Sequence, residues 1–232
     1  MRSVSRLTCL IAACALLVPA MPAAAQMTGS RIGKNAGVKH VPALMRLMAE
    51  CIVARRQGMV RDWLVTLPGS DEEDRLLTKQ LGDFGLCLED RELVMGSASE
   101  LVVTPKSVRF PLALALARKQ LRNGPAMPAV AKDGEPWFTA QLAKVTDIKQ
   151  VDRVQLALQD FGHCVATANW SGASMLVLAE AGSPQEQAAV TQLIPVLGPC
   201  LDQNAKINLN AANLRTALAE PMAHILMASS GS

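Results

Sequence analysis

Four cysteines constrain this chain more than any other feature. Cys51 and Cys87 stand 36 positions apart, Cys164 and Cys200 likewise, and the second pair follows the first 113 residues on, from Cys51 to Cys164. Midway in each interval lies a Gly-Ser step, Gly69-Ser70 and Gly182-Ser183. The chain is therefore a tandem duplication with a turn at the centre of each copy.

Each copy reads as helix, tight turn, helix. Ser70 with Glu73, and Ser183 with Glu186, match the capping box, in which hydroxyl and carboxylate satisfy backbone donors left free at a helix start. Pro184 suits the first helical position, where its missing N–H costs nothing. The glycine before each serine can adopt the left-handed conformation that ends a helix. After the turn, Leu77, Leu81, Phe84 and Leu88 predict one apolar stripe, with Val190, Ile194, Leu197 and Leu201 as counterparts.

Residues equidistant from a hairpin turn lie at similar heights, so each cysteine pair can meet. A disulfide needs Cα atoms within roughly 7 Å, closer than the usual 8–10 Å between helix axes. Small neighbours (Ala49, Gly85, Gly162, Gly198) are expected to permit that approach. Pairing within each copy is favoured over the other two connectivities that four cysteines allow, and over four free thiols. A break expected near Gln57-Gly58 and Ser171-Gly172 weakens the symmetry of the hairpins.

Residues 1–25 have the form of a secretory signal: Arg2 and Arg6, an apolar run over 7–18, then Ala23-Ala24-Ala25, with cleavage expected between Ala25 and Gln26. The run is short for a membrane span. Cys14 resembles a lipoprotein cysteine, but more apolar sequence follows it where a polar tether is expected. Cleavage removes Cys9 and Cys14 and leaves an even four cysteines, as an oxidising compartment permits. It also lowers the formal charge from +3 to about +1. With no basic cluster, nucleic acid is an unpromising partner.

The remaining chain divides into an arm (26–39), a first repeat (40–121), a Gly/Pro-rich linker (122–147), a second repeat (148–227) and a short tail (228–232). Trp137 and Phe138 are candidates to anchor the linker, and Trp63, aligned with Leu176, reads as core. A helix opening about residue 148 would present Val151, Val154, Leu158 and Phe161. Leu-Val-Val at 101–103 aligns with Ile-Asn-Leu at 207–209, after seven extra residues in the first copy. Thr104 and Asn210 then suit the N-caps of a third helix in each copy. Pro111 and Pro221 are expected to bend those helices, and Pro195 to bend the second copy's capped helix.

The pattern Cys…Pro-Gly-Ser…Cys-Leu, followed by a helix opening near a matched Arg, resembles a group of uncharacterised secreted helical proteins of Gram-negative bacteria. It covers both copies, with Ala181 in place of the proline in the second. The resemblance implies export and a helical fold, and no activity.

Motifs for metal-dependent hydrolysis, serine hydrolysis, phosphate loops, dinucleotide binding and Cys-x-x-Cys chemistry are missing from the sequence. The three histidines (His40, His163, His224) do not repeat between copies. His163 adjoins Cys164, whose expected role is a bridge. The four cysteines lack the short spacings of a zinc site. Polar residues kept between copies are Arg109 with Arg215, and Glu89 with Asp202. Paired arginines can hold a carboxylate or phosphate between the halves. The structural alternative, which is favoured, pairs each arginine with an acid of its own copy and ties the third helix to the capped one.

These observations predict an all-α protein of two disulfide-stapled helical hairpins, each with an added helix, packed on a shared core. The expected role is a periplasmic or secreted, non-catalytic binding protein. It would need no cofactor and take an apolar peptide or partner helix of the cell envelope, with methionines adapting to the guest. The alternative is an enzyme with its site where the repeats join, near Arg109 and Arg215.

Overall fold

The computed structural model describes residues 41–89, 104–124, 128, 134–145, 151–201 and 208–229. The expected signal, the Ala25–Gln26 cleavage site, the arm, His40, Asp202, the 101–103 segment and the side chain of Glu89 lie outside the described residues. So does much of the linker.

Among the described residues the elements are all helices. The first repeat holds α1 (Val41–Arg55), α2 (Gln57–Leu64), α3 (Asp71–Glu89) and α4 (Pro105–Leu121). A short α5 (Thr139–Leu142) belongs to the linker. The second repeat holds α6 (Arg153–Ala168), α7 (Trp170–Leu178), α8 (Pro184–Cys200) and α9 (Ala211–Ser229). Both disulfides pair within their own copy: Cys51–Cys87 with Cα atoms 5.8 Å apart, and Cys164–Cys200 at 5.6 Å. Such bridges belong to an oxidising, extracytoplasmic compartment.

The turns form as their residues dictate. Gly69 (φ 79°) and Gly182 (φ 78°) are left-handed, a conformation that costs other residues about 1 kcal/mol or more. Ser70 accepts from the Glu73 N–H at 3.2 Å and Ser183 from the Glu186 N–H at 3.1 Å. The glutamates reach back one residue further than a capping box requires. Glu73 accepts from the Gly69 N–H and Glu186 from the Gly182 N–H, both at 2.7 Å. Each glutamate thereby keeps a second oxygen free to face the core. Thr104 and Asn210 cap α4 and α9 as expected, accepting from the backbone N–H of Ser107 and Asn213.

Four local expectations need correction. The break in the first hairpin arm falls at Arg56 and Asn169, one to two residues early, and at matched positions, so it preserves the symmetry. The Asn169 side chain caps α7 by accepting from the Gly172 N–H, whereas Arg56 makes no side-chain cap. The apolar stripe of α8 is rotated: Glu186, Ala189, Leu193 and Leu197 are buried, while Val190 is half-buried and Ile194 is 60% exposed. Turning Glu186 inward brings positions three, seven and eleven residues later with it. In α3, Leu77 and Phe84 are buried as expected; the side chains of Leu81 and Leu88 lie outside the described residues.

The third correction is the start of α6. It opens at Arg153, where Asp152 accepts from the Gln155 N–H and its own N–H binds Pro68 O at 2.8 Å. That register buries Leu156, Gln159, Phe161 and Val165 and leaves Val154 80% exposed. Finally, Gly162 serves α9 rather than the disulfide. A Cβ there would stand 1.9 Å from Ala217 O, so only glycine lets the two helices touch. Gly85 and Gly198 have open space around them.

One core spans both copies, from Met48, Ile52, Trp63 and Leu112 to Leu176, Leu193, Leu218 and Met222. Helices α4 and α9 cross its centre against each other, flanked by α1 on α4 and α6 on α9. The pairing of α4 with α9 is antiparallel. Arg109 near the start of α4 meets Glu220 in the second half of α9, while Arg118 late in α4 and Arg215 early in α9 share the carbonyl of Ala179. Helical assignment continues through Pro111, Pro195 and Pro221.

Candidate functional site

The buried polar residues gather at the two ends of the α4/α9 crossing, one cluster per repeat. Arg109 is 1% exposed. Its Nε donates to both oxygens of Glu220 (2.9 and 3.0 Å), its Nη1 to Glu73 Oε1 (2.6 Å), and its Nη2 to Glu220 and to the carbonyls of Leu64 and Thr66 (2.8 and 2.7 Å). The fork thus binds the end of α2, the start of α3 and the opposite repeat's α9 together. Burial opposes ionisation of Glu220, yet Arg109 holds its carboxyl below the usual range. For Glu73 burial prevails over Arg109 and raises it. Burial disfavours the charged guanidinium, but Glu220 and then Glu73 outweigh it and hold Arg109 above its ordinary value.

Arg215 repeats part of this in the second copy. It donates to Glu186 Oε1 (2.5 Å), Leu176 O (3.1 Å) and Ala179 O (3.4 Å). Thus each arginine ties its third helix to the capped one, through the capping glutamate of its own copy. The glutamates themselves were visible in the sequence as a matched pair. Glu220 was not, because the matching position in the first copy, Leu114, is apolar.

Two further residues complete the clusters. Arg118 and His224 stand at matched positions, as Arg109 and Arg215 do, and each faces the opposite repeat. Arg118 is buried and donates to Val177 O (2.7 Å) and Ala179 O (3.0 Å). Burial lowers its proton affinity, and among the described residues no carboxylate lies within ion-pair distance of it. His224 is buried 3.7 Å from Glu220, and burial holds the imidazole well toward its neutral form.

The linker ends on the first repeat's cluster. The Trp137 ring stacks on His224 (centroids 3.9 Å apart), its Nε1 donates to Gln159 Oε1 (2.7 Å), and the Arg109 guanidinium lies 5.9 Å from its centroid. Phe138 packs with Leu67, Val151 and Leu156. Trp63 is core, as expected, with its indole N–H on the Glu73 carbonyl. Beside Trp137 a cavity of about 510 Å³ remains, reached by Arg61, Asp62, Glu135, His163 and His224. His163 bonds Gly134 O (2.9 Å), and its neighbour Cys164 is oxidised, so the pair offers no thiol.

At the other end of the crossing a separate cleft of about 350 Å³ opens between α1, α4, α9 and the turn at Glu180-Ala181. Arg118 and Arg215 reach its floor, and Arg46 and Glu180 pair across its rim at 3.6 Å. Among the described residues no cluster of His, Cys, Asp and Glu is arranged to hold a metal ion. Compared with family models, with curated proteins and with solved structures, the chain shows no significant match to any.

Proposed function

We propose that this chain is an exported, non-catalytic binding protein of the cell envelope that takes a small ligand into a cleft where its two repeats meet. One observation carries the reading: a cleft of about 350 Å³, bounded by both repeats, keeps a buried guanidinium that no acid among the described residues contacts. Its size falls at the lower end for small-ligand sites, about 300–1,000 Å³. Arg109, by contrast, is sealed and held by two carboxylates and two carbonyls, so it has nothing left to offer a substrate. Among the described residues the large exposed apolar side chains, Val65, Leu86, Val154, Leu178, Ile194 and Leu209, are spread over separate helices and the segments beside them, which favours a cleft over a groove for a partner helix. The signal-like residues 1–25 and the two disulfides support export.

Native mass spectrometry of the protein purified from its own envelope fraction tests this. The expected spectrum shows a chain beginning at Gln26, two disulfides and a reproducible non-covalent adduct of small mass. A chain retaining residues 1–25, or one that carries no adduct and is stabilised by no fraction of a metabolite extract, overturns it.

A further inference from the structure

We propose that the cleft floored by Arg118 and Arg215 binds a small carboxylate carried on a flat apolar body, seated where Trp137 sits in the opposite half. The inference rests on the chain being a binding protein and names the ligand class.

The duplication itself supplies the argument. Besides its neighbour Phe138 and the small cluster around it, Trp137 meets the polar side chains of Gln159, His224 and Arg109. Moved back by the spacing from Cys51 to Cys164, Gln159 becomes Arg46; moved by the spacing from Arg109 to Arg215, His224 and Arg109 become Arg118 and Arg215. All three counterparts line the open cleft. One half of the molecule thus occupies this space with a tryptophan from its own linker, and in the other no described residue fills it. The walls that remain, Phe110, Pro111, Leu114 and Ala115, are apolar and suit a flat ring.

The difference in charge says what the ring must carry. In the first half Arg109 faces two carboxylates, Glu73 and Glu220, with His224 beside them. In the second half Arg215 faces one, Glu186; Leu114 replaces the second acid and Arg118 replaces the histidine. The exchange removes one negative charge and adds one positive charge on the cleft floor. Glu180 and Glu50 also line the cleft and favour the charged form of Arg118 through space, but among the described residues neither lies within ion-pair distance of it, and Glu180 pairs with Arg46 at the rim. Two nitrogens of Arg118 are held by carbonyls, and among the described residues nothing accepts from its Nη1. A guanidinium so placed favours a planar carboxylate. The chain's own residues 26–40 contain no acid and do not supply one.

Titration calorimetry on the exported chain, with indole-3-acetate as probe and indole-3-acetamide as its uncharged match, tests the proposal. The acid is expected to bind at least about tenfold more tightly than the amide. Arg118→Gln should weaken it by about tenfold or more, and Leu114→Glu, which restores the missing acid, should abolish it. His163→Ala, at the other cavity, should leave binding unchanged. Helical circular dichroism and two intact disulfides show that each variant has folded; if a variant has not, the acid–amide comparison on the unaltered chain decides alone. Equal binding of acid and amide, no binding of either, or unchanged affinity in the folded variants overturns the proposal. So does a structure with residues 26–40 seated in the cleft. A co-purified ligand without an acid group would sink this inference while sparing the binding reading; an empty protein stabilised by no metabolite fraction sinks both.

Discussion

Arg109 shows how one side chain can decide whether a duplicated fold holds together. Removing it leaves Glu73 and Glu220 buried without their counter-charge. Arg109→Met should therefore lower unfolding free energy by about 3–5 kcal/mol, read from the urea midpoint at unchanged m-value. Replacing Arg109 together with Glu73 and Glu220 by apolar residues of similar size should recover much of that loss, because the cost lies in the orphaned charges. The same cluster sets a pH dependence. His224 is held neutral by burial, below its ordinary value of 6.5, so the unfolded chain binds that proton more readily. Its contribution to stability is full above about pH 6.5 and is lost as pH falls towards the folded value. Glu220, held low by Arg109 against burial, contributes above its ordinary 4.5 and is lost only in stronger acid. Glu73 is raised, so acidification relieves rather than adds strain. His224 should thus make melting temperature fall as pH drops below about 6.5, with Glu73 opposing the fall, and His224→Gln should make the slope less steep or reverse it; an unchanged slope would remove His224 as its source.

Among the elements, the hairpins are held at both ends by different means. At the turn, Gly69 and Gly182 stand at positive φ, with open space around Gly182. Gly182→Ala should therefore cost only the conformational penalty, about 1 kcal/mol, seen as a small loss of melting temperature. At the far end each disulfide closes a loop of 36 residues, which by chain entropy stabilises by about 4 kcal/mol. Replacing Cys51 and Cys87 together by alanine should lower stability by roughly that amount in denaturant titration. Where α6 meets α9 the constraint is steric. Gly162→Ala places a methyl group into the Ala217 carbonyl and should cost more than Gly182→Ala, on the order of 3 kcal/mol, since backbone rather than a side chain must move. The ranking of these two glycines is the sharper test, because their sequence contexts give no reason to expect it.

At the level of the whole molecule, the repeats share one core and exchange buried groups across it. Glu220 of the second repeat serves Arg109 of the first, and Arg118 of the first serves the carbonyls of the second. Unfolding should accordingly be a single transition, with circular dichroism and tryptophan fluorescence coinciding. Two separated transitions would show the repeats to be independent. The near-symmetry also gives the molecule two unlike ends: Trp137 occupies the place over His224 at one, with a cavity beside it, and at the other the matching place is filled by no described residue and is lined by Arg46, Arg118 and Arg215.

The sequence alone determined the duplication, the turns, the caps and the disulfide pairing. Those follow from local rules: a serine three residues before a glutamate, a glycine able to turn left-handed, cysteines equidistant from the bend. It also marked Arg109 and Arg215 as a matched pair and Trp137 as an anchor. Only the tertiary structure decided which acids those arginines meet, how α8 is rotated, where α6 begins, and that Glu220, Arg118 and His224 join the clusters. The reason is physical: each of these depends on what faces a side chain from another helix, from 29 residues away for Arg215 and Glu186 to 111 for Arg109 and Glu220. Periodicity within one helix carries no record of its neighbour, and a charge buried at the crossing of α4 and α9 gains its partner only when both helices are in place.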